Sequence, residues 1–249
     1  QSAEFSQTLA SSPLVESISP VGDTLVVTGS GFGSHPSVQL GSELCPTETV
    51  SSSEIQCVLP KLPAGDYSLL VINPSTGHSN TDIIFTSSIQ LNQVTPTSGS
   101  FGGGSLLALR GKGFSSESTV TVCNQACAPV SATHSEIQCS TPSTEASSTT
   151  KNCPVVVMES KASAGGFEFT YDAALTPSIT KVSPGRGGTG GGTLVTVQGQ
   201  GFSDIGNMVS IDGVVCDVSH ENATNIQCYT NSHRGSVRAV VTVEVKGKG

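Results

Sequence analysis

Short runs of Val, Ile and Leu, each bounded by Gly, Pro, Asn or Ser, recur along the whole chain. In the clearest of them apolar side chains fall on every second residue, as at Leu25 and Val27. A period of two is typical of β-strands that bury one face. No window of ten or more residues shows apolar positions at helical spacing. The pattern therefore predicts an all-β chain with many turns.

One larger pattern occurs three times. In each copy a strand run leads into a Gly-x-Gly-Phe motif, which ends at Phe32, Phe114 and Phe202. Each copy continues to an Ile-Gln-Cys triplet, which ends at Cys57, Cys139 and Cys228. The spacing from one Phe to the next is the length of one repeat unit. A unit of this length with about seven short strands is typical of a sandwich of two packed sheets. We therefore predict three tandem immunoglobulin-like β-sandwich domains, at residues 17–91, 92–176 and 177–249.

The Gly-x-Gly-Phe motif predicts the end of a core strand. Glycine tolerates a β-bulge or a positive φ, which other residues rarely do. The Phe that follows is expected to fold back and anchor the core. The chain has no Trp and few other aromatic residues, so each core is expected to be thin and to need covalent support.

Eight cysteines can provide that support. Each repeat contains one pair twelve residues apart, and we predict these pairs as disulfides: Cys45–Cys57, Cys127–Cys139 and Cys216–Cys228. Cys123 and Cys153 remain and pair by elimination. Half a zinc site at Cys123 and Cys127 is the alternative, but zinc would need a second close pair or histidines at ligand spacing. Closing a loop of this size stabilises by roughly 3 kcal/mol in the chain-entropy model.

These residues resemble the IPT/TIG domain, the immunoglobulin-like fold of plexins and related receptors. The shared features are a Pro-x-x-Gly opening, the Gly-x-Gly-Phe strand end, the Ile-x-Cys strand and a hairpin that is clearest at Val209-Ser-Ile-Asp-Gly-Val-Val-Cys216. The resemblance covers nearly the whole chain. Long arrays of such repeats with extra cysteines are similar to those of the fibrocystin family. Members of that family are large single-pass surface proteins with many repeats outside the cell, so the similarity implies a glycoprotein of the cell surface or of a coat on cilia or stereocilia.

Composition and motifs argue against several other functions. The net charge is −8 with only 11 Lys and Arg, which leaves no basic face for nucleic acid and no attraction to an acidic membrane. The glycine runs at 101–104 and 187–192 lack the Lys-Ser/Thr ending of a phosphate loop. The five histidines lie in polar, turn-rich stretches and none accompanies a nucleophile motif such as Gly-x-Ser-x-Gly, which argues against a catalytic role. We therefore predict no catalytic residue, no cofactor and no metal ligand, with calcium at a linker left open.

The sequon Asn222-Ala-Thr224 is the one candidate modification site. It lies in a polar loop between Cys216 and Cys228. We predict that Asn222 is exposed and carries a glycan when the chain is made in a eukaryotic secretory pathway.

Both ends of the chain match strands of other repeats. Residues 1–16 are predicted to be the closing strand and linker of a preceding repeat, because Glu4 to Pro20 align with Glu168 to Pro184 at a constant offset. Residues 237–245 match the next-to-last strand of the second repeat. The third repeat is therefore predicted to lack its own closing strand, as expected of a segment from a continuing array.

Three functions follow as hypotheses. The first is a non-catalytic structural and adhesive segment on the extracellular side of the cell membrane. Its partners would be the neighbouring repeats and other extracellular or cell-surface proteins. The second is a receptor segment that binds one protein ligand. The third is an accessory domain of an extracellular enzyme, which is weakened because no Trp and only three Tyr are present for sugar stacking.

Overall fold

The computed structural model describes residues 12–234 and 238–249 of the chain. Their regular structure consists of 24 β-strands and one short 3-10 turn, Ala173–Leu175. The prediction of an all-β chain is therefore confirmed. Residues 3–8, predicted to be a closing strand, lie outside the described residues.

Nine strands build the first repeat, here called repeat A: β1 (Leu14–Val21), β2 (Thr24–Ser30), β3 (Ser37–Leu40), β4 (Glu43–Cys45), β5 (Thr47–Val50), β6 (Glu54–Val58), β7 (Gly65–Asn73), β8 (Gly77–His78) and β9 (Ile84–Ser87). One sheet has the order β1-β2-β6-β5. The other has the order β4-β3-β7-β8, and β9 also pairs with β7. The buried faces of the two sheets form one hydrophobic core.

Strand β1 begins at Leu14, before residue 17, where the sequence predicts that repeat A begins. Val15 is buried and pairs with Gly29, and a register shift follows between Val15 and Ser17. This bulge interrupts the alternation of apolar residues, so that the first residues of the strand are not recognisable from their spacing.

Nine strands also build the second repeat, repeat B: β10 (Gln90–Thr95), β11 (Ser98–Gly99), β12 (Leu106–Lys112), β13 (Thr119–Val122), β14 (Gln125–Ala126), β15 (Ala128–Ala132), β16 (Glu136–Ser140), β17 (Lys151–Glu159) and β18 (Ala162–Tyr171). They form the sheets β10-β12-β16-β15 and β11-β18-β17-β13-β14. The last strand, β18, pairs in parallel with the short strand β11.

Six strands are described in the third repeat, repeat C: β19 (Ser178–Ser183), β20 (Leu194–Gln200), β21 (Asn207–Ile211), β22 (Val214–Glu221), β23 (Asn225–Tyr229) and β24 (Val241–Val245). They are hydrogen-bonded in the order β19-β20-β23-β22-β21-β24. The long strand β22 takes part in both halves of the sandwich, since it pairs with β21 through its first residues and with β23 through its last.

The repeated sequence pattern forms the cores as expected. In repeat C, for example, Val195 and Val197 are at most 5% exposed. The Gly-x-Gly-Phe residues Phe32, Phe114 and Phe202 are all buried. Gly201 has a φ of 75°, and a Cβ on Gly199 would collide with the Phe202 ring and with the backbone of β19. The motif thus needs both glycines, one for its backbone conformation and one for the close approach of the ring.

Candidate functional site

Each repeat contains one buried disulfide that spans twelve residues. The bonds are Cys45–Cys57, Cys127–Cys139 and Cys216–Cys228, with Cα–Cα distances of 5.4, 5.5 and 5.6 Å. In repeat A the bond runs from β4 to β6, which belong to different sheets. It therefore holds the two layers of the sandwich together.

Repeat B has a second disulfide, Cys123–Cys153, with a Cα–Cα distance of 4.7 Å. It joins the turn after β13 to β17. All eight cysteines are paired, and the four pairs are those that the sequence predicts. No thiolate is therefore left for the zinc site considered at Cys123 and Cys127.

In repeat C two hydrogen bonds take the place of this second disulfide. Asp212 follows β21 directly, as Cys123 follows β13. The two residues have similar φ angles, 51° and 53°. The Asp212 backbone N–H donates to the Val240 carbonyl at 2.8 Å, and the Val240 N–H donates to Asp212 Oδ1 at 3.2 Å. A carboxylate thus connects the turn after β21 to the segment before β24, where repeat B uses a covalent bond.

Asn222, the sequon residue, closes the turn between β22 and β23. Its Oδ1 accepts hydrogen bonds from the backbone N–H groups of Thr224 at 3.0 Å and Asn225 at 2.9 Å. Its backbone N–H donates to the Asn225 carbonyl at 2.9 Å. Asn222 is half-buried rather than exposed as expected, because its oxygen faces the turn. Among the described residues Nδ2 makes no hydrogen bond, so the atom that would carry a glycan is free.

The same turn occurs in the other two repeats with a hydroxyl in place of the amide. Ser51 Oγ accepts from the Glu54 N–H at 2.9 Å, and Thr133 Oγ1 accepts from the Glu136 N–H at 3.0 Å. The position therefore requires a side-chain acceptor in every repeat, and Asn222 has a structural role that the sequon alone does not reveal.

Glu221, next to the sequon, holds the loop before β21. Its carboxylate accepts from the backbone N–H groups of Gly206 at 2.8 Å and Asn207 at 3.0 Å. It also accepts from Asn207 Nδ2 at 2.7 Å. Partial burial acts to raise the pKa of Glu221, but these hydrogen bonds outweigh it and lower the pKa below its usual value. Sequence reasoning missed Glu221, since its partners lie 14 and 15 residues away with no repeated spacing.

An apolar groove of about 950 Å³ opens in repeat C between β19 and β24. Its lining includes the apolar residues Ile179, Val182, Ile211 and Val241. Arg186, His233 and Arg238 also line it. Sequence analysis did not identify this groove, because its walls come from distant parts of the repeat.

The remaining candidates do not assemble into a site. In residues 12–234 and 238–249, no three His, Cys, Asp or Glu side chains come together as metal ligands would. The glycine runs form turns before β12 and β20, with positive φ at Gly103, Gly104, Gly191 and Gly192. The part of the chain that the structure describes contains no helix long enough to cross a bilayer, since its one helical element is a three-residue turn.

Buried disulfides in tandem all-β sandwiches define a class of protein, the disulfide-stabilised immunoglobulin-like array. The family model of the IPT/TIG domain matches residues 12–86, 90–171 and 177–249. The chain therefore belongs to the IPT/TIG domain family.

The chain is similar to several known proteins. Fibrocystin-L of Homo sapiens is 33% identical over 247 residues, which is 95% of this chain and 6% of that protein. Fibrocystin of Canis lupus familiaris is 30% identical over 182 residues, 64% of this chain and 4% of that protein. Among solved structures, the plexin A4 extracellular region matches 90% of this chain and 21% of its own, with a TM-score of 0.40 and 19% identity. The chain thus spans only a small part of the length of the curated relatives it matches. The four disulfides are typical of a protein that folds in an oxidising, extracellular environment.

Proposed function

We propose that the chain is a non-catalytic structural and adhesive segment of a large cell-surface glycoprotein. The observation that carries this proposal is repetition. Three sandwiches share one core pattern, and each has its own disulfide. Arrays of repeats extend a surface by adding copies, and each repeat in such an array contacts only its immediate neighbours.

The same proposal places the parent protein in a coat on cilia or stereocilia. It is supported by similarity to Fibrocystin-L and Fibrocystin. An antibody raised against this chain should label ciliated cells without permeabilisation. Labelling that requires permeabilisation would contradict a position outside the cell membrane.

Adhesion is tested separately with beads. Beads coated with the oxidised chain should aggregate, and beads coated with reduced and alkylated chain serve as the control. If both stay dispersed, the adhesive part of the proposal is wrong. Saturable capture of one purified surface protein without aggregation would instead support the ligand-binding hypothesis.

A further inference from the structure

The connection between strands β16 and β17 of repeat B is rich in hydroxyl side chains. Six of the eight residues in 143–150 are Ser or Thr, and Pro142 precedes them. The corresponding connection in repeat A, residues 59–64, also follows the Ile-Gln-Cys strand, but it has no Ser or Thr and buries Leu62. Residues 141–150, the hydroxyl-rich loop, are therefore not part of the pattern that repeats A and B share.

The first half of the hydroxyl-rich loop is held against the body of repeat B. The Thr144 N–H donates to the Phe101 carbonyl at 2.9 Å. The hydroxyl of Tyr171, a buried residue of β18, donates to the Pro142 carbonyl at 2.7 Å. These bonds fix the loop as far as Thr144.

Residues 145–150, the second half of the loop, are all exposed. Within the part of the chain that the structure describes, no backbone group of the first four of these residues makes a hydrogen bond. The Ser147 hydroxyl lies 3.1 Å from the Thr149 hydroxyl. The hydroxyls of Ser148 and Thr150 make no hydrogen bond to any described residue. Four adjacent hydroxyl groups are thus accessible on a backbone that belongs to no strand.

Two disulfides fix the strands on either side of the loop. Cys139 of β16 is bonded to Cys127, and Cys153 of β17 is bonded to Cys123. Because residues 145–150 lie between Cys123 and Cys153 in the sequence, a cut within them would leave the two pieces of the chain joined by that disulfide.

Repeat A contains another exposed group of hydroxyls, Ser51, Ser52 and Ser53, in the turn between β5 and β6. The Ser51 N–H donates to the Glu54 carbonyl at 2.7 Å. The Ser53 carbonyl accepts from the Gly29 N–H at 3.0 Å. The backbone of this turn is therefore already hydrogen-bonded, although its side chains are exposed.

The difference between these two segments decides which of them an enzyme can modify. A transferase that acts on a hydroxyl has to bind the neighbouring backbone as an extended peptide, which requires that this backbone be accessible and unpaired. Segments rich in Ser and Thr with nearby Pro are typical acceptors of O-linked sugars in secreted proteins. Residues 147–150 meet both conditions, whereas the turn at 51–53 is closed by its own hydrogen bonds.

We propose that residues 147–150 carry mucin-type O-linked glycans, a modification distinct in chemistry and in place from the glycan on Asn222. The donor is a nucleoside diphosphate sugar that supplies N-acetylgalactosamine. The Ser or Thr oxygen forms a bond to the anomeric carbon of the sugar. The bond from that carbon to the diphosphate breaks, its electron pair leaves with the nucleoside diphosphate, and the hydroxyl proton is released. The attached glycans shield the loop from proteases, which preferentially cut exposed loops of small polar residues.

The test uses the chain secreted by mammalian cells and collected from the medium, so that it has passed the transferases of the secretory pathway. After removal of N-linked glycans, mass spectrometry with electron-transfer fragmentation should place glycans that begin with an N-acetylhexosamine on 147–150 and none on 51–53. Protein from cells that cannot make the N-acetylgalactosamine donor should lose these glycans with its sequence unchanged.

Two variants localise the modification. The variant that combines Ser147→Ala, Ser148→Ala, Thr149→Ala and Thr150→Ala should lose the O-linked glycans of the loop. The matched control, Ser52→Ala with Ser53→Ala, removes exposed hydroxyls from the turn of repeat A and should keep them. Non-reducing peptide mapping should show the same four disulfides in both variants.

Secreted chain with no sugar on 147–150 would overturn the proposal. Equal occupancy of 51–53 would also overturn it, because exposure alone would then decide which hydroxyls are modified. So would a hexose or a phosphoryl group attached directly to these hydroxyls, since neither comes from the N-acetylgalactosamine donor. None of these results depends on adhesion or on a ciliary coat, so the proposal can fail while the proposed function stands.

Shielding is measured with a protease of broad specificity. Protein made without the donor should be cut within 145–150, and its two pieces should separate on a gel only after reduction, because the Cys123–Cys153 disulfide joins them. The glycosylated chain should remain intact under the same conditions. Equal cleavage of the two forms would overturn the shielding role.

Discussion

At the scale of single residues, equivalent positions in the three repeats perform one task with different chemistry. The turn closed by Asn222 uses Ser51 in repeat A and Thr133 in repeat B. All three side chains supply one acceptor oxygen to a backbone N–H. The requirement is therefore for an oxygen at a given place, and the residue type is free to add another function.

The first prediction concerns the glycan on Asn222. Protein secreted from mammalian cells should lose mass on treatment with an N-glycosidase, since Nδ2 is free while Oδ1 holds the turn. Asn222→Ser should remove the glycan yet keep an acceptor, as Ser51 does in repeat A. Asn222→Ala removes both the glycan and the acceptor oxygen. This variant should be about 1 kcal/mol less stable than the deglycosylated wild type. The prediction would be contradicted if Asn222 carried no glycan in any of the secreted protein.

The second prediction concerns Glu221 and pH. Its pKa is lowered in the folded state, so its contribution to stability is present above the unfolded pKa of about 4.3 and is lost as pH falls through the folded value. Glu221→Gln should lower the Tm of repeat C at pH 7 by a few degrees, because a neutral amide accepts fewer of these hydrogen bonds. The difference from wild type should shrink as the pH falls below about 4.

Asp217→Asn, which changes an exposed carboxylate of the same strand, is the control and should show neither effect. A difference that is independent of pH would show that Glu221 acts by packing alone.

At the scale of elements, the turn after β13 in repeat B and the turn after β21 in repeat C are each joined to a later strand, β17 and the segment before β24. Repeat B uses the Cys123–Cys153 disulfide, and repeat C uses Asp212 with Val240. Both turn residues have nearly the same positive φ. The same backbone conformation is therefore compatible with a disulfide or a hydrogen bond, and the side chain at this position determines which of the two forms.

The third prediction follows from that equivalence. The Cys123 N–H donates to the Pro154 carbonyl as the Asp212 N–H donates to the Val240 carbonyl, so Ala239 corresponds to Cys153. The double variant Asp212→Cys with Ala239→Cys should therefore form a disulfide. The gain should be roughly 3 kcal/mol in the chain-entropy model, less the loss of the Asp212 hydrogen bonds. Non-reducing peptide mapping and thermal unfolding would measure it, with Asp212→Cys alone as the control. Two free thiols in the folded double variant would disprove the equivalence.

At the scale of the whole molecule, each repeat has its own core and its own disulfide over twelve residues. Stability in repeat proteins is approximately a sum of the stabilities of the repeats and of their interfaces. Damage to one repeat should therefore remain largely local.

The fourth prediction tests this local character. Cys216→Ala with Cys228→Ala should cost repeat C roughly 3 kcal/mol and increase amide hydrogen exchange in β20 to β23. Protection in repeat A should be unchanged. The reciprocal variant, Cys45→Ala with Cys57→Ala, should expose repeat A and leave repeat C protected. A uniform loss of protection along the chain in either variant would mean that the repeats unfold as one unit.

The amino-acid sequence by itself determined the features that repeat or depend on near neighbours. The number of repeats, the alternating core positions, the Gly-x-Gly-Phe anchors and the disulfide partners twelve residues apart all follow from short-range spacing. The start of β1 did not, because a bulge hides its period. The repeat boundaries and the glycan on Asn222 stay predictions.

Only the tertiary structure decided the features that depend on residues far apart in the chain. Glu221 meets the loop before β21, Asp212 meets Val240, and Arg186 and Arg238 approach one groove. None of these pairs has a period, a motif or a common residue type that could mark it in the sequence. Their proximity results from strand pairing and sheet packing, which bring together residues that local patterns cannot connect.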